Sequence, residues 1–224
     1  MWRFVLARAI GRSHLRANLP CQDRLACEAL TGGALAAALA DGAGSAGMAE
    51  VGAEIAVCSV MGHLKRGLGD KRKDFDDLLR GAAALARDAV AAEADREGTA
   101  LRSYASTLLA VVLTPDGGGA LQIGDGVIVV GEGSDEWSWV FWPQRGEYAN
   151  STSFLTDDDA IHQLETQVFS GVVTDIALMS DGLEPLALNY ADRTVYDPFF
   201  NGMFAPLLKA EACAEISALS ASLE

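Results

Sequence analysis

The chain has 224 residues, half of them hydrophobic, enough to bury a core of ordinary to large size. Its formal net charge of −14 argues against nucleic-acid binding and against anionic membranes. It leaves room for a phosphorylated substrate, because metal cations in a site reverse the field that clustered carboxylates set up.

Taken in chain order, Trp2 to Ile10 reads as a strand. Its apolar run from Phe4, broken by Arg8, is too short for a signal segment or a bilayer span, and no later run reaches the length of about 18 apolar residues that a span needs. A soluble, cytoplasmic protein without membrane contact is expected. A polar, proline-containing loop covers Gly11–Asp23, and Leu25–Leu30 is the second strand. After a Gly32-Gly33 turn, Ala34–Ala40 is an apolar run whose short length and bounding glycines favour a buried strand; it ends at Asp41-Gly42. Val51, Ile55, Cys58, Met61, Leu64 and Leu68 recur at helical steps, as do Phe75, Leu78, Leu79, Ala82, Leu85, Ala86, Ala89 and Val90. Each set makes one apolar face. Helices Met48–Leu68 and Asp74–Glu97, linked through Gly67, Gly69 and Lys71-Arg72-Lys73, are therefore predicted to lie antiparallel on one side of a sheet.

Beyond Gly98 the pattern turns to short strands. Tyr104–Leu113 is followed by a Pro-Asp-Gly-Gly-Gly turn. Ala120–Ile123 and Val127–Val130 flank Gly124-Asp125-Gly126, the signature of a hairpin. Trp137–Trp142, Gln163–Phe169 and Val172–Met179 are further strands, and helical patterns cover Phe199–Leu208 and Ala210–Leu223. Tight turns imply antiparallel pairing, and helices grouped in the middle and at the end imply that they cover the faces. The predicted fold is α+β, an antiparallel β-sandwich flanked by helices in four layers, α-β-β-α, with one domain over residues 1–224. The terminal Leu-Glu is a common junction scar, so the natural protein is expected to continue past Glu224.

Three apolar strands end in an acid beside a glycine: Leu39-Ala40-Asp41-Gly42, Ile123-Gly124-Asp125-Gly126 and Leu178-Met179-Ser180-Asp181-Gly182. Each alone is a favoured turn dipeptide. Together, strand ends converging on one rim would gather carboxylates that repel unless cations lie between them, and oxygen donors select Mg²⁺ or Mn²⁺. Cys21, Cys27, Cys58 and Cys213 include no Cys-x-x-Cys pair and are expected to be free thiols in a reducing compartment.

These motifs, in this order, make the chain resemble the type 2C metal-dependent protein phosphatases of the bacterial branch. Gly11-Arg12-Ser13-His14 with Cys21-Gln22-Asp23 resembles the family's opening segment, and Ala40-Asp41-Gly42-Ala43-Gly44 its Asp-Gly-x-Gly-Gly. Ala105-Ser106-Thr107-Leu108, Ile123-Gly124-Asp125-Gly126, Gly146–Thr152 and Ser180-Asp181-Gly182-Leu183 follow, each like a family segment. The resemblance implies hydrolysis of phosphoserine and phosphothreonine in proteins at a centre of two Mg²⁺ or Mn²⁺ ions, with a third, weaker ion at Asp125. It makes Asp41 the bridging acid, Gly42 a carbonyl ligand, Asp181 a ligand of the first ion, and a serine/threonine kinase the partner in signalling. Asp125 as a plain hairpin turn is the alternative.

The chain departs from the family pattern in several places. Gln22 stands where the family has a metal-binding glutamate, so the second ion would lean on Asp23. Ala43 stands where some members have a histidine, and the family's last acid-rich motif is absent. Arg16 is the candidate phosphate grip if the loop carries an insertion, with Arg12 as the alternative and Asn18 in line but uncharged. These departures keep open a second function, a catalytically weak phosphatase-like binding module. Trp137, Trp139 and Trp142 read as core or as an anchor, Asp157-Asp158-Asp159 as a solvated turn or helix start, and His63 and His162 as structural; His14 lies in the loop beside the site.

Overall fold

A computed structural model describes residues 2–11, 16, 20–69, 74–131, 133, 136–144 and 152–210. Five antiparallel strands form the first sheet in the order β1 (Arg24–Ala29), β2 (Leu35–Ala40), β3 (Leu108–Thr114), β4 (Gly117–Ile123) and β7 (Glu165–Phe169). A second sheet pairs β6 (Trp137–Phe141), β5 (Val127–Gly131) and β8 (Asp175–Met179), and a ribbon joins β9 (Leu188–Asn189) to β10 (Thr194–Val195). Helices α1 (Ala49–Gly67) and α2 (Phe75–Glu97) cover the first sheet; α5 (Asp197–Lys209) covers the second. Short helices α3 (Ala160–Gln163) and α4 (Glu184–Ala187) lead into β7 and β9.

The continuous apolar runs are explained by strands buried on both faces. Ala36, Ala38 and Ala40 face α1 and α2 together with Leu108, Ala110 and Val112, while Ala37, Leu109 and Val111 turn inward against Ile128 and Phe141 of the second sheet. Val127 and Val129 face outward onto Phe200 of α5. The helices run antiparallel on one face: a side chain at Gly67 would meet Leu78 and one at Gly81 would meet His63. Asp74 caps α2 by accepting from Asp76 N–H at 2.8 Å, and Gly98 ends it in the left-handed region. Among the described residues no helix is long and apolar enough to cross a membrane.

The sheets and the helical layers are as the sequence predicts, with differences at particular segments. Trp2–Ile10 forms no strand. Its anchors are side chains: Trp2 Nε1 donates to Gly33 O at 2.8 Å, Arg3 Nη1 to Leu208 O at 2.8 Å and Arg8 Nη1 to Asp23 O at 3.4 Å. The segment thus tethers the edge of the first sheet to the far helix. Gly124-Asp125-Gly126 is no hairpin turn either, because β4 pairs with β3 and β7 whereas β5 pairs with β6 and β8. It is the passage from one sheet to the other. Tyr104 ends a short 3₁₀ turn rather than starting β3, and Gln163 closes α3 rather than opening β7. The helix expected over Ala210–Leu223, the Lys71-Arg72-Lys73 link, most of Gly146–Thr152, Arg12, His14 and Asn18 lie outside the described residues.

Candidate active site

Asp41 leaves the end of β2, and Thr107 holds its backbone from both sides. Asp41 N–H donates to Thr107 Oγ1 at 3.0 Å, and Thr107 N–H donates to Asp41 O at 2.8 Å. Gly42 continues as a bridge to Ser106 and is buried so tightly that a Cβ there would stand 2.9 Å from both Ala49 Cβ and Gln22 Cβ. Only glycine fits, so the carbonyl-bearing turn lies flat between the start of α1 and the Gln22 loop. Ala43 is buried and its N–H donates to Ala105 O at 2.9 Å.

The surroundings of Asp41 are acidic. Burial pushes its carboxyl up from 3.8 to about 8, reinforced by the charges of Asp23, Asp181 and Asp125 and by a side-chain hydrogen bond shared with Asp23. The strand-end acids Asp41, Asp125 and Asp181, joined by Asp23, thus act on one point. Among the described residues no three His, Cys, Asp or Glu side chains form a ready-made metal cage. The acids meet through their fields and through one shared proton, and they are the hard-oxygen groups that could hold a cation.

The acids come from different elements. Asp125 sits on the passage between the sheets, where Gly124 takes a φ of 106° against Thr107; Thr152 Oγ1 donates to Asp125 Oδ2 at 2.5 Å. Gln144 Oε1 accepts from Gly124 N–H at 2.7 Å, and the buried Gln122 donates to Gly124 O at 3.2 Å. Asp181 is exposed at the end of β8, where Met179 pairs with Val127 next to Asp125-Gly126. Gln22 packs beside Gly42. Arg16 is exposed, and the strongest influences on Asp41 are burial and carboxylates rather than this guanidinium.

Arg24 is a residue that motif reading missed. Its Nη1 donates to Cys21 O at 2.9 Å and to Asp23 O at 2.7 Å, while the same guanidinium pairs with Glu50 and, at 2.8 Å, with Glu54 of α1. It clamps the Cys21–Asp23 loop to the helix that packs on Gly42. The available signal was Glu50 and Glu54 at i,i+4 opposite an arginine that directly follows Asp23. A groove of about 340 Å³ behind this loop is lined by Leu6, Ala7, Arg8, Arg24, Leu25 and Glu54, and by none of the four acids.

Comparison with known proteins places the fold and the family. Serine/threonine-protein phosphatase 3 of Escherichia coli (strain K12) is 37% identical over 216 residues, covering 93% of this chain and 84% of that protein. A crystal structure of a bacterial serine phosphatase superposes with a TM-score of 0.64 at 13% identity, covering 91% of this chain and 85% of that one. RsbX in complex with magnesium superposes with a TM-score of 0.50 at 14% identity, covering 91% and 80%. The model of the family described as protein phosphatase 2C matches residues 10–223, and the chain belongs to that family.

Proposed function

We propose that this chain is a divalent-metal-dependent hydrolase of phosphoserine and phosphothreonine in proteins, one phosphatase domain over residues 1–224. The observation that carries the reading is the convergence of Asp23, Asp125 and Asp181 on the half-buried Asp41, which holds its proton to about 8. Carboxylates gathered in this way suit hard cations, Mg²⁺ or Mn²⁺, and Mg²⁺ keeps several of its own waters, so an open carboxylate set suffices. Asp41 would serve two ions and the Gly42 carbonyl would be a further ligand, Asp181 would serve the first ion, Asp23 and Gln22 the second, and Asp125 a third. Bound there, the ions would supply a water acidic enough to attack phosphorus near neutral pH.

The chain's own residues do the rest. Thr107 fixes Asp41, Arg24 fixes the Asp23 loop, and Thr152 orients Asp125. With alanine at position 43, the leaving oxygen takes its proton from solvent. Arg16, exposed in the same opening segment, is the proposed phosphate grip. A serine/threonine kinase that places these phosphates is the expected counterpart. The neutral amide of Gln22 beside Gly42 favours one other reading, a module that binds phosphoprotein without turnover.

The test is release of phosphate from a phosphoserine peptide in Mn²⁺, with EDTA and Asp41→Asn as controls. The hydrolase reading expects turnover that EDTA abolishes and Asp41→Asn reduces at least about a hundredfold. Binding of the phosphopeptide without phosphate release would leave the binding module; unchanged turnover in Asp41→Asn would remove Asp41 from the bridge.

A further inference from the structure

At the rim of the second sheet that carries Asp125 and Asp181, aromatic side chains gather with solvent on one side. Trp139 meets Trp142 edge to face with centroids 5.7 Å apart, and Trp142 meets Tyr190 likewise at 5.6 Å. The guanidinium carbon of Arg193 lies 5.2 Å from the Trp142 ring and 5.9 Å from that of Trp139. Trp139 is 37% exposed and Tyr190 40%. Trp137, on the same strand, shows what a structural tryptophan does here: it is buried, stacks on Phe200 and lies tilted against Phe204.

The group is both built and continuous with the acids. Arg193 has a φ of 53°, a left-handed conformation that side chains other than glycine's rarely adopt, and Trp139 Nε1 donates to its carbonyl at 2.9 Å. Strain held in place by an indole keeps the guanidinium over the rings. Ile128 pairs with Phe141 and Val127 with Met179, so Trp142 stands at the end of the sheet where Asp125 enters and Asp181 leaves. Gln122 Nε2 donates to both Gly124 O and Trp142 O, at 3.2 and 3.3 Å. Leu183 and Leu186, 42% and 59% exposed, follow Asp181 and lead to Tyr190.

Resting on the phosphatase reading, we propose that the Trp139–Trp142–Tyr190 face with Arg193 docks the substrate phosphoprotein, taking an apolar side chain and a carboxylate that flank the phosphorylated residue. Tryptophan, tyrosine and arginine are the residues that most often dominate binding energy. One face of the guanidinium lies on the rings, and among the described residues no carboxylate forms an ion pair with it. In a chain of net charge −14 it is a positive point on this rim that an acidic flank of the substrate can find.

The probes are two fluorescent phosphoserine peptides, one with phenylalanine and aspartate beside the phosphoserine and one with alanines there, and p-nitrophenyl phosphate as a small ester. Binding is read by anisotropy and hydrolysis in Mn²⁺. Wild type is expected to bind the Phe/Asp peptide about tenfold more tightly, and Trp139→Ala and Arg193→Gly are expected to erase that preference while hydrolysing the small ester at the wild-type rate. Glycine suits the left-handed backbone, so Arg193→Gly removes the cation without straining the turn. Equal binding of the two peptides by wild type, or wild-type preference in Arg193→Gly, overturns the proposal. So does a wild-type dimer that Trp139→Ala converts to monomer with the peptide preference intact. Peptide preference without hydrolysis of any substrate would leave the docking face standing and remove the hydrolase reading.

Discussion

Thr107 Oγ1 accepts the Asp41 N–H, and its own N–H returns a bond to the Asp41 carbonyl, so the most perturbed of the four acids has little freedom to move away from its neighbours. The consequence is a pH dependence whose sign can be worked out. In the metal-free chain Asp41 titrates near 8, against 3.8 when unfolded, so the folded state holds the extra proton between those values. The stability this contributes is fully present below the unfolded value and is lost as pH rises through the folded one. In EDTA, the melting temperature should therefore fall between about pH 5 and pH 8. Asp41→Asn, a neutral isostere, should flatten that fall and melt higher than wild type near pH 8, while losing phosphatase activity. A wild-type melting curve independent of pH over that window would mean that the carboxylates relax apart and Asp41 ionises normally.

Among the elements, the start of β1 and the first turns of α1 are joined by Arg24, which reaches two loop carbonyls and two helix glutamates at once. Glu50 and Glu54 are partly in solvent, so the ion pairs themselves contribute modestly, and the larger part is the pair of charge-assisted bonds to Cys21 O and Asp23 O. Arg24→Ala should cost about 2 kcal/mol in denaturant unfolding and weaken Mn²⁺ binding by calorimetry. Arg24→Lys, a point charge that cannot fork to four acceptors, should recover part of the stability but not the metal affinity. Equal Mn²⁺ affinity in all three chains would make Arg24 structural only. Such a clamp was barely legible in the sequence: Glu50 and Glu54 repeat at i,i+4, but nothing local ties them to an arginine in another element. The helices were legible, since Leu64 or Val90 belongs to one apolar stripe within a single segment. Asp41 and Asp181 were legible as strand-end acids. Gly124-Asp125-Gly126 was misread as a hairpin because its turn chemistry is local, whereas the sheet that β5 joins is decided by its pairing with the distant β8. The Trp137–Trp142 stripe hid a bulge: Val140 is the extra residue, so Phe141 turns inward and Trp142 out to the aromatic rim.

For the whole molecule, charge and cation binding are linked. A chain of net charge −14 repels itself, and Asp41 with the three acids around it concentrates part of that repulsion inside the fold. Two kinds of cation should relieve it differently. Monovalent salt screens the exposed charges and should raise the melting temperature of wild type and Asp41→Asn alike. Mn²⁺ held by the folded chain alone should, at a hundred times its dissociation constant, add about 2.7 kcal/mol, or roughly 5–10 °C for a chain of this size. Asp41→Asn lowers the net charge only from −14 to −13, a change of one, so it should keep the salt response and lose most of the Mn²⁺ response. The measurement is a pair of thermal titrations, one in KCl and one in MnCl₂ at constant ionic strength. If both variants gain equally from Mn²⁺, the ion is acting on the general acidic surface, and the acids around Asp41 are not where it binds.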